Sequence, residues 1–256
     1  RDYANVDWNS ATITKDMNWS GDGDIEINLP AEVTIIQADQ PKMVITGPSD
    51  VVNHVIVDGG EIGFGHDGHG HVNVRGVHGL DDLHRLKIEI SANGLHTIRS
   101  RVASKLHLAG VKSDDLKLTV NTASDADGAL DVDRLELTVN TGADTSLSGR
   151  ADELEVTVNT GADARLDRLA VKRATVHANT GASVIVAPTD SLETHVNTGA
   201  RVIVRGRPKD LDTHMNTGGS LHFEDAGPAE SAPSANAPSV SPSPSPSPSP
   251  KAKSKT

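Results

Sequence analysis

The sequence predicts an all-β protein, a right-handed parallel β-helix or β-solenoid with rungs of about 19 residues. The first observation is a repeat: Asn-Thr-Gly, or Asn-Thr-Ala at its first occurrence, returns every 18 to 20 residues. The second is strict apolar/polar alternation before each repeated Asn, which is the period of a β-strand. The third is composition. The 256 residues include two Trp, one Tyr and two Phe, so Val, Ile, Leu and Ala must build the core.

The repeated asparagines align the chain into columns. The residue one position before Asn is Val in four of the six units, and the residue three before is Leu, Val or Thr. The residues two and four before are polar, so each strand has an apolar and a polar face. A single unit cannot bury its apolar face, whereas a stack of units buries a continuous core. The repeated residues are Asn121, Asn140, Asn159, Asn179, Asn197 and Asn216.

Each unit is expected to contain two strands and two turns. The residues after Asn form the first turn, because Gly accepts backbone angles that other residues avoid. The second strand has inward residues five and seven positions after Asn, such as Thr145 and Leu147, and a charged turn at 150–153 closes the unit. We expect residues 87–223 to form consecutive parallel rungs about 4.8 Å apart, with the asparagine Cα atoms in one row.

The chain divides into four regions. A lead-in covers residues 1–22, and opening β coils with a His/Gly-rich loop cover 23–90. The repeat solenoid covers 91–225 and is one continuous domain with the opening coils, which cap its exposed edge. A Pro/Ser-rich tail covers 226–256 and is predicted to be disordered, because proline removes amide donors and nothing apolar is present to bury. Short strands are expected in the opening coils at 24–28, 32–36, 43–46 and 51–57.

Charge and composition exclude several classes of function. The formal net charge of −11 disfavours nucleic acid and anionic membranes as partners. The absence of Cys excludes disulfides, thiolate metal sites and a cysteine nucleophile. No run reaches the roughly 18 apolar residues of a transmembrane helix. The sequence begins with Arg rather than Met, which agrees with removal of a targeting segment.

Three stretches resemble a bacterial family, the "putative auto-transporter adhesin head, GIN domain" proteins. They are the opening at 23–49, the strand-turn units at 87–219 and the closing segment at 205–221, and the likeness lies in their order and spacing. Asn-Thr-Gly stands where the family usually has Gly/Ser/Ala triplets. The resemblance implies an exported β-helix protein, periplasmic or associated with the outer membrane or cell surface, with no established activity.

The six asparagines are candidates for a structural ladder. Their side-chain amides would hydrogen-bond from rung to rung if they lay in a row. Alternatively, Asn is present because it tolerates turn geometry and hydrogen-bonds nearby backbone groups. Strand parity points the asparagines outward, but a turn can reverse that direction, so the sequence leaves it open.

Two groups of histidines are candidate metal ligands. His177, His195 and His214 lie two positions before an Asn, outward on adjacent rungs, and imidazole binds zinc, nickel and copper. Parallel side chains about 4.8 Å apart do not converge freely on one ion, so a surface row is the preferred interpretation. The second group is His66, His69 and His71 in a glycine-rich loop, where a solvated loop is preferred over a metal site.

A column of carboxylates suggests calcium as an alternative. Asp125, Asp144 and Asp163 each follow an Asn by four positions. Stacked carboxylates repel unless they spread into solvent or share a cation, and Ca²⁺ accepts such oxygens. No cofactor is expected, with calcium or a transition metal as the alternatives.

The sequence contains no catalytic motif, so a non-enzyme is predicted. It lacks a nucleophile elbow, a phosphate-binding loop and a zinc-protease motif. The predicted function is a non-catalytic, exported bacterial envelope protein, a binding or structural module with adhesion as one form of that role. Its partner would be an envelope or surface protein or glycan. The alternatives are a periplasmic metal-binding module using the His-rich loop and a carbohydrate-active β-helix enzyme.

Overall fold

The computed structural model describes residues 4–65 and 72–225. Within these ranges the chain is mostly β-structure, with two single-turn helices, α1 (Ser49–Val52) and α2 (Leu80–Leu83). The strands are β1 (Ala4–Asp7), β2 (Thr12–Met17), β3 (Asp24–Ile27), β4 (Glu32–Gln37), β5 (Lys42–Pro48), β6 (Val55–Asp58), β7 (Glu61–Phe64), β8 (Val72–Arg75), β9 (Lys87–Ala92), β10 (Thr97–Ser100), β11 (Lys105–Val120), β12 (Asp125–Asn140), β13 (Asp144–Asn159), β14 (Asp163–Asn179), β15 (Ser183–Val196), β16 (Arg201–Arg205), β17 (Asp210–Met215) and β18 (Ser220–Glu224).

The predicted β-solenoid is confirmed. Strands β11 to β15 are parallel neighbours, and each pairs with the next in the register that the repeat requires. Asn140 is opposite Asn159, and Asn159 is opposite Asn179. Each of these rungs is one long bent strand followed by a short turn at the repeated Asn.

The prediction of a second turn at 150–153 is wrong, because no turn interrupts the strand there. β13 runs unbroken from Asp144 to Asn159 and changes direction at Gly149, where φ is +99°. A Cβ atom at Gly149 would overlap the carbonyl oxygen of Leu130 on the neighbouring rung. Glycine therefore bends the strand while keeping its backbone close to the rung below.

The core lies inside the stack and consists of the inward columns. Val120, Val139 and Val158 are fully buried, as are the alternating residues that precede them. The inward positions after Asn behave as predicted, since Thr145 and Leu147 are also buried. The interior is filled by branched aliphatic and alanine side chains, which fit the narrow space between opposite walls.

The opening residues form a cap, but their order differs from the prediction. Residues 24–37 make a rung of their own: β4 pairs in parallel with both β9 and β11, and β3 pairs with β10. Within this rung, β4 lies between β9 and the repeat strand β11, so the expectation of consecutive rungs from residue 87 is wrong for β9. Beyond it, β5 runs antiparallel to β9 and β2, which ends the parallel stack.

Three of the four short strands expected in the opening coils are present, and the fourth is half wrong. Residues 49–52 form α1, and only Val55–Asp58 is a strand. The helical turn carries Asp50 in its first turn, where a negative charge favours helix formation. It also buries the adjacent Val51 and Val52 together, which a strand with alternating faces would not do.

The opposite end of the stack is uncovered in the part of the chain that the structure describes. Among the described residues, β17 pairs only with β15, and β18 pairs only with β16. Leu211 and Met215 occupy inward columns of this last rung yet remain 46% and 50% exposed. No helix in residues 4–65 or 72–225 is long and apolar enough to span a membrane. The prediction of a disordered tail concerns residues 226–256, which lie outside the described residues.

Candidate functional site

The repeated turn gives each rung its corner. In Asn140-Thr-Gly-Ala143, the amide of Ala143 donates to the carbonyl of Asn140 at 3.3 Å. Thr141 and Gly142 both have positive φ, at 54° and 66°, as in a type I′ turn. The turns also stack, because the amide of Gly142 donates to the carbonyl of Thr160 on the next rung at 3.1 Å. The corner is thus hydrogen-bonded both within and between rungs.

The six asparagines form a continuous side-chain ladder. Asn140 Nδ2 donates to Asn121 Oδ1 at 2.8 Å, and the same bond links each later pair at 2.8 to 3.1 Å. The first five asparagines are half-buried and Asn216 is exposed. The same residue therefore begins the turn and joins neighbouring rungs.

We use "polar face" for the outward side chains two, four and six positions before each repeated Asn. Opposite charges alternate across its rungs: Arg173 Nη2 donates to Glu153 Oε1 at 2.7 Å, and Arg134 Nη2 donates to Glu155 Oε2 at 3.2 Å. These residues line a depression of about 560 Å³. The polar face is a fixed, charged surface because its residues alternate with core residues on paired strands.

The predicted histidine row lies on the same face. The rings of His177 and His195 stack with centroids 4.8 Å apart and an interplanar angle of 9°, and His195 and His214 stack at 4.8 Å and 11°. Two carboxylates that the sequence did not assign to a site lie beside these rings. Glu193 Oε1 lies 2.8 Å from His195 Nε2, and Asp212 Oδ1 lies 3.2 Å from His214 Nε2. The available signal was the carboxylate two residues before each of these histidines, since period two puts both on one face.

The aspartate column lies just after the Asn turn. Asp125, Asp144 and Asp163 line a second depression of about 270 Å³ together with Arg165. Partial burial, together with a hydrogen bond to Asp163, raises the pKa of Asp144 above its ordinary value of 3.8. The close approach of two carboxyl groups therefore favours a proton held between them.

Three aspartates surround Arg150, an arrangement that the sequence did not predict. Arg150 Nε donates to Asp131 at 2.7 Å, while its terminal nitrogens lie 3.0 Å from Asp133 and Asp152. The hydrogen bond from Arg150 lowers the pKa of Asp152. These residues come from adjacent rungs, and only the stacking brings them together. The second group of candidate histidine ligands, His66, His69 and His71, lies outside the described residues.

Solved structures from Bacteroides and Parabacteroides share this fold. The chain is similar to a "putative adhesin" from Bacteroides fragilis, with a TM-score of 0.74 and 16% identity over 86% of this chain and 99% of that one. It is similar to a "putative lipid binding protein" from Parabacteroides distasonis, with a TM-score of 0.64, 13% identity and the same coverage. A "putative adhesin" from Parabacteroides merdae gives a TM-score of 0.58 at 15% identity, again covering 86% and 99%.

The solved relatives share the architecture of this chain. At these identities the solved structures establish the fold alone, and their names are those of adhesins or a lipid-binding protein rather than enzymes. No curated protein matches the chain. A family model does match it over residues 23–208, which include strands β3 to β16 and the first five of the six Asn turns. The chain therefore belongs to the family described as "putative auto-transporter adhesin, head GIN domain".

Proposed function

We propose that this protein is a non-catalytic, exported binding module of the bacterial envelope, periplasmic or at the cell surface, which holds a protein or glycan partner on its polar face. The observation that carries the proposal is the alternating charge of that face, where Arg134, Glu153 and Arg173 occupy three successive rungs in register. Fixed charges at regular intervals complement an extended partner with its own repeating polar groups.

The rest of the fold supports recognition on an outer face. The inward columns fill the interior of the rungs, so a ligand meets the outward side chains. Each rung adds only a few exposed polar contacts, which are individually weak in water. Repetition along the stack lets such contacts act together, as adhesion requires. Membership of the adhesin-head family and the names of the solved relatives agree with this role.

A charge swap tests the proposal. In Glu153→Arg/Arg173→Glu the pair on the polar face is kept but its direction is reversed. The control is Glu32→Lys/Lys87→Glu, which reverses an ion pair outside the polar face in the same way. In the parent, the Lys87 Nζ and Glu32 Oε2 atoms of this pair are 3.2 Å apart. The purified variants would be applied to immobilised envelope glycans, to envelope proteins and to whole bacterial cells.

We expect the parent and the control to bind one of these surfaces and the polar-face swap to lose that binding at least about 10-fold, which corresponds to 1.4 kcal/mol. Retention by a glycan surface would identify a glycan partner, and retention by a protein surface a protein partner. Equal binding by both swapped variants, or no binding by the parent, would contradict the proposal.

A further inference from the structure

The last two rungs of the polar face carry a compact set of metal-binding groups. His195 is opposite His214, and Glu193 is opposite Asp212, so two imidazoles and two carboxylates form a two-by-two array on β15 and β17. The ligand atoms of Glu193, His195 and His214 all lie within 4.8 Å of one another. The third stacked histidine, His177, has Thr175 two residues before it, so the array is confined to these two rungs.

The carboxylates remove the geometric objection to a histidine row. Ligands bonded to one ion at about 2.1 Å in tetrahedral geometry lie roughly 3.4 Å from each other. Glu193 Oε1 and His195 Nε2, at 2.8 Å, are already near that separation. Only His214 has to move closer, and it lies on the exposed terminal strand, where no further rung restricts its side chain among the described residues.

The local charge also favours a cation. In residues 4–65 and 72–225, the ion pairs of Glu193 and Asp212 are with these histidines and not with a lysine or arginine. The cations nearest in the fold have other partners: Arg173 pairs with Glu153, and Lys209 pairs with Asp190. When the imidazoles are neutral, the array holds two uncompensated negative charges.

We infer that Glu193, His195 and His214, with Asp212 beside them, bind one divalent transition-metal ion at the open end of the solenoid. Two imidazoles with carboxylate oxygens suit Zn²⁺, Ni²⁺ or Cu²⁺ rather than Ca²⁺, which prefers oxygen ligands alone. The ion joins β17 to β15 through side chains and so closes the last rung. This inference does not depend on the proposed partner, because the ligands lie beyond the charge-swapped residues.

The experiment measures Zn²⁺ binding by calorimetry on the untagged full chain. His66→Ala/His69→Ala/His71→Ala serves as the background, so that the His-rich loop does not contribute. We expect one Zn²⁺ per chain, with Kd at least about 10-fold higher in His195→Ala and His214→Ala, since even the loss of a group supporting a ligand costs about 10-fold or more. His177→Ala is the matched control from the same ring stack and should change Kd by less than about twofold.

Two further measurements separate binding from folding. Co²⁺ should give visible absorption bands in the background protein that the double variant His195→Ala/His214→Ala lacks. Far-ultraviolet circular dichroism should be the same for both, because the substituted side chains are partly exposed. Absence of Zn²⁺ binding by the background protein would overturn the inference, and so would undiminished binding by a folded double variant.

Discussion

The side-chain amide of Asn159 donates to Asn140 at 2.8 Å and accepts from Asn179 at 3.0 Å. The replacement Asn159→Ala removes both bonds and leaves half-buried polar atoms on the two neighbours. We expect it to lower the free energy of unfolding by about 1 to 3 kcal/mol, twice the net contribution of one hydrogen bond. Asn121→Ala is the control, because Asn121 only accepts a bond from Asn140.

The control should therefore lose about half as much, roughly 0.5 to 1.5 kcal/mol. Denaturant unfolding of both variants measures the difference. Equal losses at the two positions would mean that the turn preference of Asn, and not the ladder, stabilises the rungs.

The turn threonines hold an unfavourable backbone conformation that can be relieved. Thr160 has φ of 55°, a region that β-branched residues avoid and Asn tolerates. Thr160→Asn should stabilise the protein by about 0.5 to 1 kcal/mol, part of the usual cost of left-handed backbone. Thr157→Asn, three residues earlier in β13, should be neutral or destabilising because strands disfavour Asn. Thermal unfolding compares the two, and a lower melting temperature for Thr160→Asn would contradict the expectation.

The raised pKa of Asp144 gives a pH-dependent prediction. A carboxyl group whose pKa is raised by folding destabilises the native state when it is ionised, so the penalty is present at pH 7. The penalty fades as the pH falls through the raised pKa towards the ordinary value of 3.8, where the group is protonated in both states. Asp144→Asn should therefore raise the melting temperature at pH 7. The expected rise is only about a degree, because interactions between exposed charges contribute little to stability.

The same variant should show no gain near pH 3, where the parent is protonated at this position. Melting curves at the two pH values make the comparison. Asp114→Asn, at an exposed position of β11, is the control for simple removal of negative charge, and an equal gain from it would show that Asp144 has no special repulsion.

Deletion of residues 227–256 is expected to leave the melting temperature unchanged within about a degree. The segment consists largely of Ser, Pro and Ala, with no aromatic and one Val, so it has little apolar surface to bury. Differential scanning calorimetry of the full and shortened chains measures this. A drop of several degrees would show that the tail covers part of the solenoid.

Aligning the repeated units on their Asn predicted the features that depend on a repeating strand register. It placed Val158 inward and Thr157 outward, because one residue of register reverses the two faces. It did not predict that β4 pairs with β11, because that contact joins segments about 70 residues apart and no repeated motif marks it. The bend at Gly149 was missed for a related reason, since the close approach to Leu130 exists only after stacking.

The candidate metal array was also predictable only in part from the sequence. The histidine row followed from spacing alone, and the stacking distance of 4.8 Å agrees with it. The roles of Glu193 and Asp212 required side-chain directions, because a carboxylate two residues away approaches an imidazole only in some rotamers. The histidine column by itself predicted a surface row. Together with the neighbouring column of Glu193 and Asp212, the histidines form a cluster.

The open end of the stack also determines how the molecule responds to pulling. Within residues 4–65 and 72–225, the last strand, β18, pairs only with β16, and β17 pairs only with β15. A tension applied beyond residue 225 loads the hydrogen bonds of the outermost rung first, and each rung that detaches passes the load to the next. The solenoid therefore yields in steps of about 19 residues, lengthening under force while the remaining rungs keep their polar face in register.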